Sequence, residues 1–199
     1  MKQILFLILI ILSITNCVKA QSLRKQTREF IMEIYKVHSS PAEPFIYTKG
    51  IDSYEKKEII EALEKTDTLK KWRKVNGNLK VIDSLVLSTK EKKYIINKLE
   101  RASDISLWDQ FNFPHSFTIS QDTVTAIFKD ITRGWNYFRN TYGSSFNSFT
   151  IPIFFRDNKL CAFYYDNSCG GLCGEGVFAI YRQENKHWVR WFTIYEWVS

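Results

Sequence analysis

Apolar residues are spaced in three ways along this chain, and each spacing predicts a different kind of element. Ile4 to Ile14 is a run of Ile, Leu and Phe broken only by Ser13. From about residue 23 to residue 142 the apolar positions recur mostly at steps of three and four, the spacing of one helix face. From Phe149 onward they alternate or form short runs, the spacing of strands.

Within the middle region, Leu23, Phe30, Ile31, Ile34 and Val37 predict a first helix, closed by Ser39-Ser40-Pro41 and Pro44. Asp52 with Glu55 resembles a capping arrangement for a second helix carrying Ile59, Ile60 and Leu63. Asn76-Gly77-Asn78 predicts a turn, and Leu79, Val81, Leu85 and Leu87 a short strand interrupted by Asp83-Ser84. Ser88 and Glu91 form a capping box that opens a helix through Tyr94, Ile95 and Leu99. The strongest stripe is Val124, Ile127, Phe128, Ile131, Trp135 and Phe138. It predicts one helix over 124–142, weakened at Gly134 and stopped at Gly143.

The last quarter reads as four strands. Phe149, Ile151, Ile153 and Phe155 alternate, Leu160 to Tyr165 is a buried run, Val177 to Tyr181 is a third strand and Trp188 to Val198 a fourth. Turns fall at 157–159 and 184–186, with a glycine-rich loop at 167–176. The predicted fold class is α+β: N-terminal helices followed by a C-terminal four-strand antiparallel meander. One domain is expected over 21–199, with a helical part at 21–147 and a sheet part at 148–199. The stripe at 124–142 must be covered, and the sheet is its expected partner. The aromatic segment 103–121 bridges the two parts.

The N-terminal run is too short for a stable membrane span. With Lys2 before it and Val18-Lys19-Ala20 after it, residues 1–20 read as a signal peptide that leaves Gln21 as the new N-terminus. The protein is then exported, periplasmic or secreted, with no integral membrane segment after processing. An alternative is a lipoprotein anchored at Cys17, although Asn16 is bulky before such a cut.

A composition of 45% apolar and 25% charged residues excludes a disordered chain, a collagen and a multi-span membrane protein. The net charge of +7 is uneven. Residues 21–102 hold 18 Lys+Arg against 12 Asp+Glu, whereas residues 103–199 hold 8 against 9. Glu55, Glu58, Glu61 and Glu64 interleave with Lys56, Lys57 and Lys65, the pattern of an exposed helix and not of a nucleic-acid face. Nucleic acid is therefore not an expected partner; an envelope polymer or protein is.

Candidate chemistry concentrates at Asn167-Ser168-Cys169-Gly170-Gly171-Leu172-Cys173-Gly174-Glu175-Gly176. A short glycine-rich segment lets Cys169 and Cys173 approach to disulfide distance. Cys161 lies in an apolar run and reads as a buried thiol. The remaining residues of the loop, Asn167, Gly170, Gly171, Gly174, Glu175 and Gly176, are candidates for contacting a ligand or partner, because functional residues gather on loops fixed by a rigid sheet. The spacing Cys-x-x-x-Cys is not that of thioredoxin-like sites. A zinc set of Cys161, Cys169, Cys173 and His187 matches no known module, so no metal is expected. No cofactor motif is present. Asp104, Asp109, Asp122 and Asp130 read as helix-end caps. Trp188, Trp191 and Trp197 read chiefly as sheet packing.

The stretch from Phe149 to Ser199 resembles the C-terminal end of a group of small, uncharacterised exported proteins of Gram-negative bacteria. Pro152-Ile153-Phe154, the Cys169-Gly170-Gly171-Leu172-Cys173-Gly174 segment and the closing Trp197-Val198-Ser199 carry the resemblance. It covers about a quarter of the chain and implies export but no activity. The expectation is a non-enzymatic binding or structural module of the cell envelope. The alternative is an exported hydrolase with a site between the 167–176 loop and the 103–121 aromatic segment. A hydrolase calls for a concave pocket with convergent titratable groups; a binding module calls for an exposed apolar or aromatic patch.

Overall fold

The computed structural model describes residues 23–35, 44–76, 78–101, 113 and 115–199. The chain divides into two compact units, Met1–Val37 and His38–Ser199. In the first, residues 23–35 form helix α1, in which Thr27, Phe30 and Ile31 are buried. The second unit contains every other element. No helix among the described residues is long and apolar enough to cross a membrane.

The second unit is a mixed α/β fold. Strand β1 (Phe45–Lys49) leads to helix α2 (Ser53–Lys65), the ribbon β2 (Thr68–Val75) and β3 (Asn78–Val86), and helix α3 (Thr89–Arg101). Strand β4 (Ser116–Ile119) is followed by helices α4 (Gln121–Ile127) and α5 (Ile131–Thr141). Strands β5 (Phe146–Phe149), β6 (Ile153–Phe155), β7 (Leu160–Gly170), β8 (Cys173–Glu184) and β9 (His187–Val198) complete it. The main sheet runs β4-β1-β5-β7-β8-β9, with β6 also paired to β7.

Local signals predicted from sequence are present where they were expected. Asp52 accepts the Glu55 N–H at 2.9 Å and caps α2. Ser88 and Glu91 close their box through Ser88 N–H to Glu91 Oε2 at 2.8 Å and Glu91 N–H to Ser88 Oγ at 3.3 Å. Asn76 takes φ 50° between β2 and β3, as a tight hairpin turn requires.

Three expectations need correction. The part expected to be helical but for one short strand holds four whole strands, β1 to β4, and the start of β5. β1 lies between β4 and β5 and is parallel to both, with Tyr47 opposite Asn147 and Thr118. The C-terminal antiparallel run is present as β6-β7-β8-β9, but its first expected strand is split at 150–152 into β5, which joins the parallel half, and β6. The helix expected over 124–142 is two helices. Asp130 caps the second by accepting the Arg133 N–H at 3.1 Å. A methyl group on Gly134 would lie 2.6 Å from the Ile127 carbonyl oxygen, so this glycine permits the close crossing of α4 and α5.

Helices and ribbon cover one face of the sheet in two clusters. Ile59 and Leu63 of α2, Ile95 and Leu99 of α3 and Leu85 of β3 pack on Tyr164, Phe178, Ile180 and Phe192 of the antiparallel half. Val124, Trp135 and Phe138 pack on Ile46, Ile119 and Phe146 of the parallel half. The predicted stripe thus meets the sheet, but at β1, β4 and β5, and Ile131 escapes to solvent at 61% exposure. The opposite face carries Tyr47, Phe113 and Phe149, whose rings stack or meet edge-on at 5.4–6.0 Å.

Candidate functional site

Between the two clusters the sheet face is left open as a cleft of about 300 Å³. α2 contributes Asp52 and Glu55, α4 and α5 contribute Gln121, Val124, Ile131 and Trp135, and the sheet contributes Phe146, Ser148, Asp166, Ser168, Gly170 and Gly171. One wall is aromatic and aliphatic; the other carries three carboxyl groups.

The acids reach this place by ordinary means. Asp52 and Glu55 sit at the capped start of α2. Asp166 continues the inward parity of β7 after Leu160, Ala162 and Tyr164, which puts it on the helix-covered face. Asp166 is buried and accepts the Ser148 N–H at 3.1 Å and the Tyr164 hydroxyl at 3.2 Å. The Tyr164 oxygen accepts the Trp197 indole N–H at 3.0 Å. The Glu55 carboxyl lies close enough for its charge to act on both Tyr164 and Asp166.

This arrangement constrains the protons. Tyr164 has one hydroxyl hydrogen and can donate it to only one carboxyl group. That hydrogen goes to Asp166. Burial, reinforced by the charge of Asp52, pushes Glu55 from 4.5 up to about 7. Burial and the nearby Glu55 charge push Asp166 well above the usual carboxylate range. Burial first, then the charges of Asp166 and Glu55, raise Tyr164. One acid of the cleft thus exchanges its proton near neutral pH.

The glycine-rich segment has a different structure from the loop expected at 167–176. β7 and β8 remain paired through Asn167–Glu175 and Ser168–Gly174, and only Gly171-Leu172 turns. Cys169 and Cys173 sit at disulfide distance, their Cα atoms 5.1 Å apart. Cys161 is a free thiol, fully buried, and burial pushes its pKa up.

The candidate residues separate into distinct roles. Gly170 and Gly171 line the cleft. Asn167 turns to Asn147, donating Nδ2 to its Oδ1 at 3.0 Å. Glu175 is exposed. Gly176 lies opposite Trp197 on β9; a methyl group there would overlap the indole nitrogen and press on the Tyr164 hydroxyl. Gly174 would meet the same indole at 3.1 Å. These two glycines form the trough in which Trp197 reaches Tyr164. Of the aromatic segment, only Phe113 and residues 115–121 lie among the described residues, and Gln121 is the one that joins Gly170 and Gly171 in the cleft.

Sequence reading missed Glu55 and Asp166. Glu55 looked like one of several exposed helix charges. The signal at Asp166 was an acid directly extending an apolar run, since a polar residue inside is more informative than an apolar residue outside.

No protein-family model matches the chain, and no curated protein or solved structure matches it.

Proposed function

We propose that the protein is an exported, non-enzymatic binding module of the cell envelope, and that the cleft between α2, α4, α5 and β7 receives a small ligand bearing an amine cation. One observation carries the choice of ligand. The Gln121 Oε1 atom is buried in the cleft lining with no hydrogen-bond partner. An unmet acceptor beside Asp52, Glu55 and Asp166 calls for a donor-rich partner. The aromatic wall of Trp135 and Phe146 suits the organic part of such a ligand and attracts positive charge.

Hydrolysis is the second reading, favoured by Glu55 holding a proton near neutrality. A two-carboxylate mechanism also needs a second acid free to act. Asp166 is committed on both oxygens, one to Ser148 and one to Tyr164. That commitment favours binding over hydrolysis.

Export rests on the signal-like residues 1–20, on the resemblance at 149–199 and on a cysteine pair of the kind that persists in oxidising compartments. Intact mass of protein recovered after export should place the N-terminus at Gln21.

The binding test uses two probes of similar shape, benzylammonium and benzyl alcohol, followed by NMR titration. The cation should bind the wild type, more tightly at pH 8 than at pH 6 because it stabilises ionised Glu55. Glu55→Gln should weaken it at least fivefold. Equal binding of the alcohol, or no change in Glu55→Gln, rejects the cation site. Turnover of chromogenic glycosides or esters that disappears in Glu55→Gln would establish the hydrolase reading instead.

A further inference from the structure

The ribbon β2–β3 stands apart from the main sheet and has two unlike faces. Its inner face is anchored: Leu69 and Leu85 join the core cluster, and Asp83 accepts the Arg182 guanidinium at 2.9 Å and the Trp191 indole at 2.7 Å. Pairing places Trp72 opposite Val81, Lys74 opposite Leu79, Lys70 opposite Ser84 and Thr68 opposite Val86. All eight fall on the other face, by the two-residue period of a strand and the bulge after Lys71.

That outer face is apolar and exposed. Leu79 is 69% exposed, Val86 60% and Trp72 56%, and the bulge residue Ile82 is also exposed. It is basic as well. Lys70 and Lys74 lie on it, and the ribbon adds Lys71, Arg73 and Lys80 on its other side, against the single acid Asp83, which is already paired. None of the five cations forms an ion pair among the described residues. Elsewhere the exposed large apolar residues are spread over many elements.

We infer that the outer face of the β2–β3 ribbon docks on an anionic phospholipid surface, with Trp72, Leu79, Val81 and Val86 entering the headgroup–acyl boundary and Lys70 and Lys74 meeting lipid phosphates. Trp beside aliphatic residues and lysines is the side-chain mixture favoured at a membrane interface, where the ring sits at headgroup level and the ammonium groups meet negative charge. Charge complementarity alone would also suit an anionic polymer. A polymer leaves Leu79 and Val86 in water, however, whereas a bilayer removes them from it. The inference is independent of the cleft and its ligand.

The test is co-sedimentation of the full chain with vesicles of phosphatidylcholine, or of equal parts phosphatidylglycerol and phosphatidylcholine. The readout is the ratio of the two affinities, because an apolar N-terminal run contributes to both. Wild type should prefer the anionic vesicles by about tenfold or more at low salt. Lys70→Glu/Lys74→Glu should bring the ratio near one, and Leu172→Ser, an even more exposed apolar residue at another hairpin tip, should leave it unchanged. Bromine-labelled lipid should quench wild-type fluorescence, and Trp72→Phe should abolish that quenching. Both charge-reversed residues are on the surface, so circular dichroism should show the fold intact. A ratio unchanged by the charge reversal, or quenching that survives in Trp72→Phe, overturns the inference.

Discussion

Replacing Glu55 by Gln should make this protein more stable at alkaline pH while leaving it nearly unchanged at pH 5. In the folded state Glu55 holds its proton up to about 7, against 4.5 for an unperturbed group. The folded form therefore binds more protons than the unfolded form between these values, and stability falls as pH rises through that window. The contribution is fully present below about 4.5 and lost as pH passes 7. At about 1.36 kcal/mol for a tenfold change in proton affinity, the difference corresponds to about 3 kcal/mol as a ceiling, since part of the carboxyl group meets solvent in the cleft. Asp166 acts in the same direction, because burial also raises it. Glutamine keeps the size of the side chain and removes the titrating group. Urea melts of wild type and Glu55→Gln at pH 5, 6, 7 and 8.5 measure the effect. The two stabilities should nearly coincide at pH 5 and diverge above pH 6, with the variant more stable by about 1–3 kcal/mol on the same conversion. Curves that stay parallel across this range would mean that Glu55 is an ordinary solvated acid, and the proton assignment in the cleft would fail.

The acid side has the opposite sign. Hydrogen bonding to Arg156 lowers Glu91 from 4.5 to about 2, so its contribution is present above pH 4.5 and lost as pH falls towards 2; wild-type stability should peak near pH 5, and Glu91→Gln should flatten the acid limb of the same melts. Phe138→Ala, at a site with no exposure, should cost about 3–5 kcal/mol in a urea melt, whereas Thr125→Ala, exposed on α4, should stay within about 0.5 kcal/mol. Gly176→Ala should displace Trp197 from Tyr164, shifting the tryptophan emission and the NMR signal of the Trp197 indole N–H; an unshifted resonance would deny the trough its role. Thiol labelling should find one reactive cysteine, Cys161, and only after denaturation, while reduction of the Cys169–Cys173 pair should loosen the hairpin without unfolding the domain.

What the sequence by itself determined is local in origin. Asp52, Ser88 and Glu91 declare helix starts because a cap joins groups three residues apart. Asn76 declares a turn because the turn needs a residue at ease with positive φ, whereas the partner strand β2 that makes it a hairpin was not announced. Leu160–Tyr165, Val177–Tyr181 and Trp188–Val198 declare strands because neighbouring antiparallel strands joined by tight turns bury alternate residues. The antiparallel C-terminal run and the Cys169–Cys173 proximity follow from such short separations. Tertiary structure decided the rest. Phe45–Lys49 is too short a run to announce a strand, and it becomes one only because Tyr47 finds Asn147 and Thr118, far along the chain, on either side. The stripe from Val124 to Phe138 signals a single helix, yet Asp130 and Gly134 allow two that cross closely. The cleft is the most distant product of all. Glu55 reads alone as an exposed helix charge, Gln121 as a plain polar residue and Asp166 as an acid at the end of an apolar run. Their proton equilibria change only when packing removes water from around them and sets one tyrosine hydroxyl between two carboxyl groups, and no spacing within any single segment encodes that meeting.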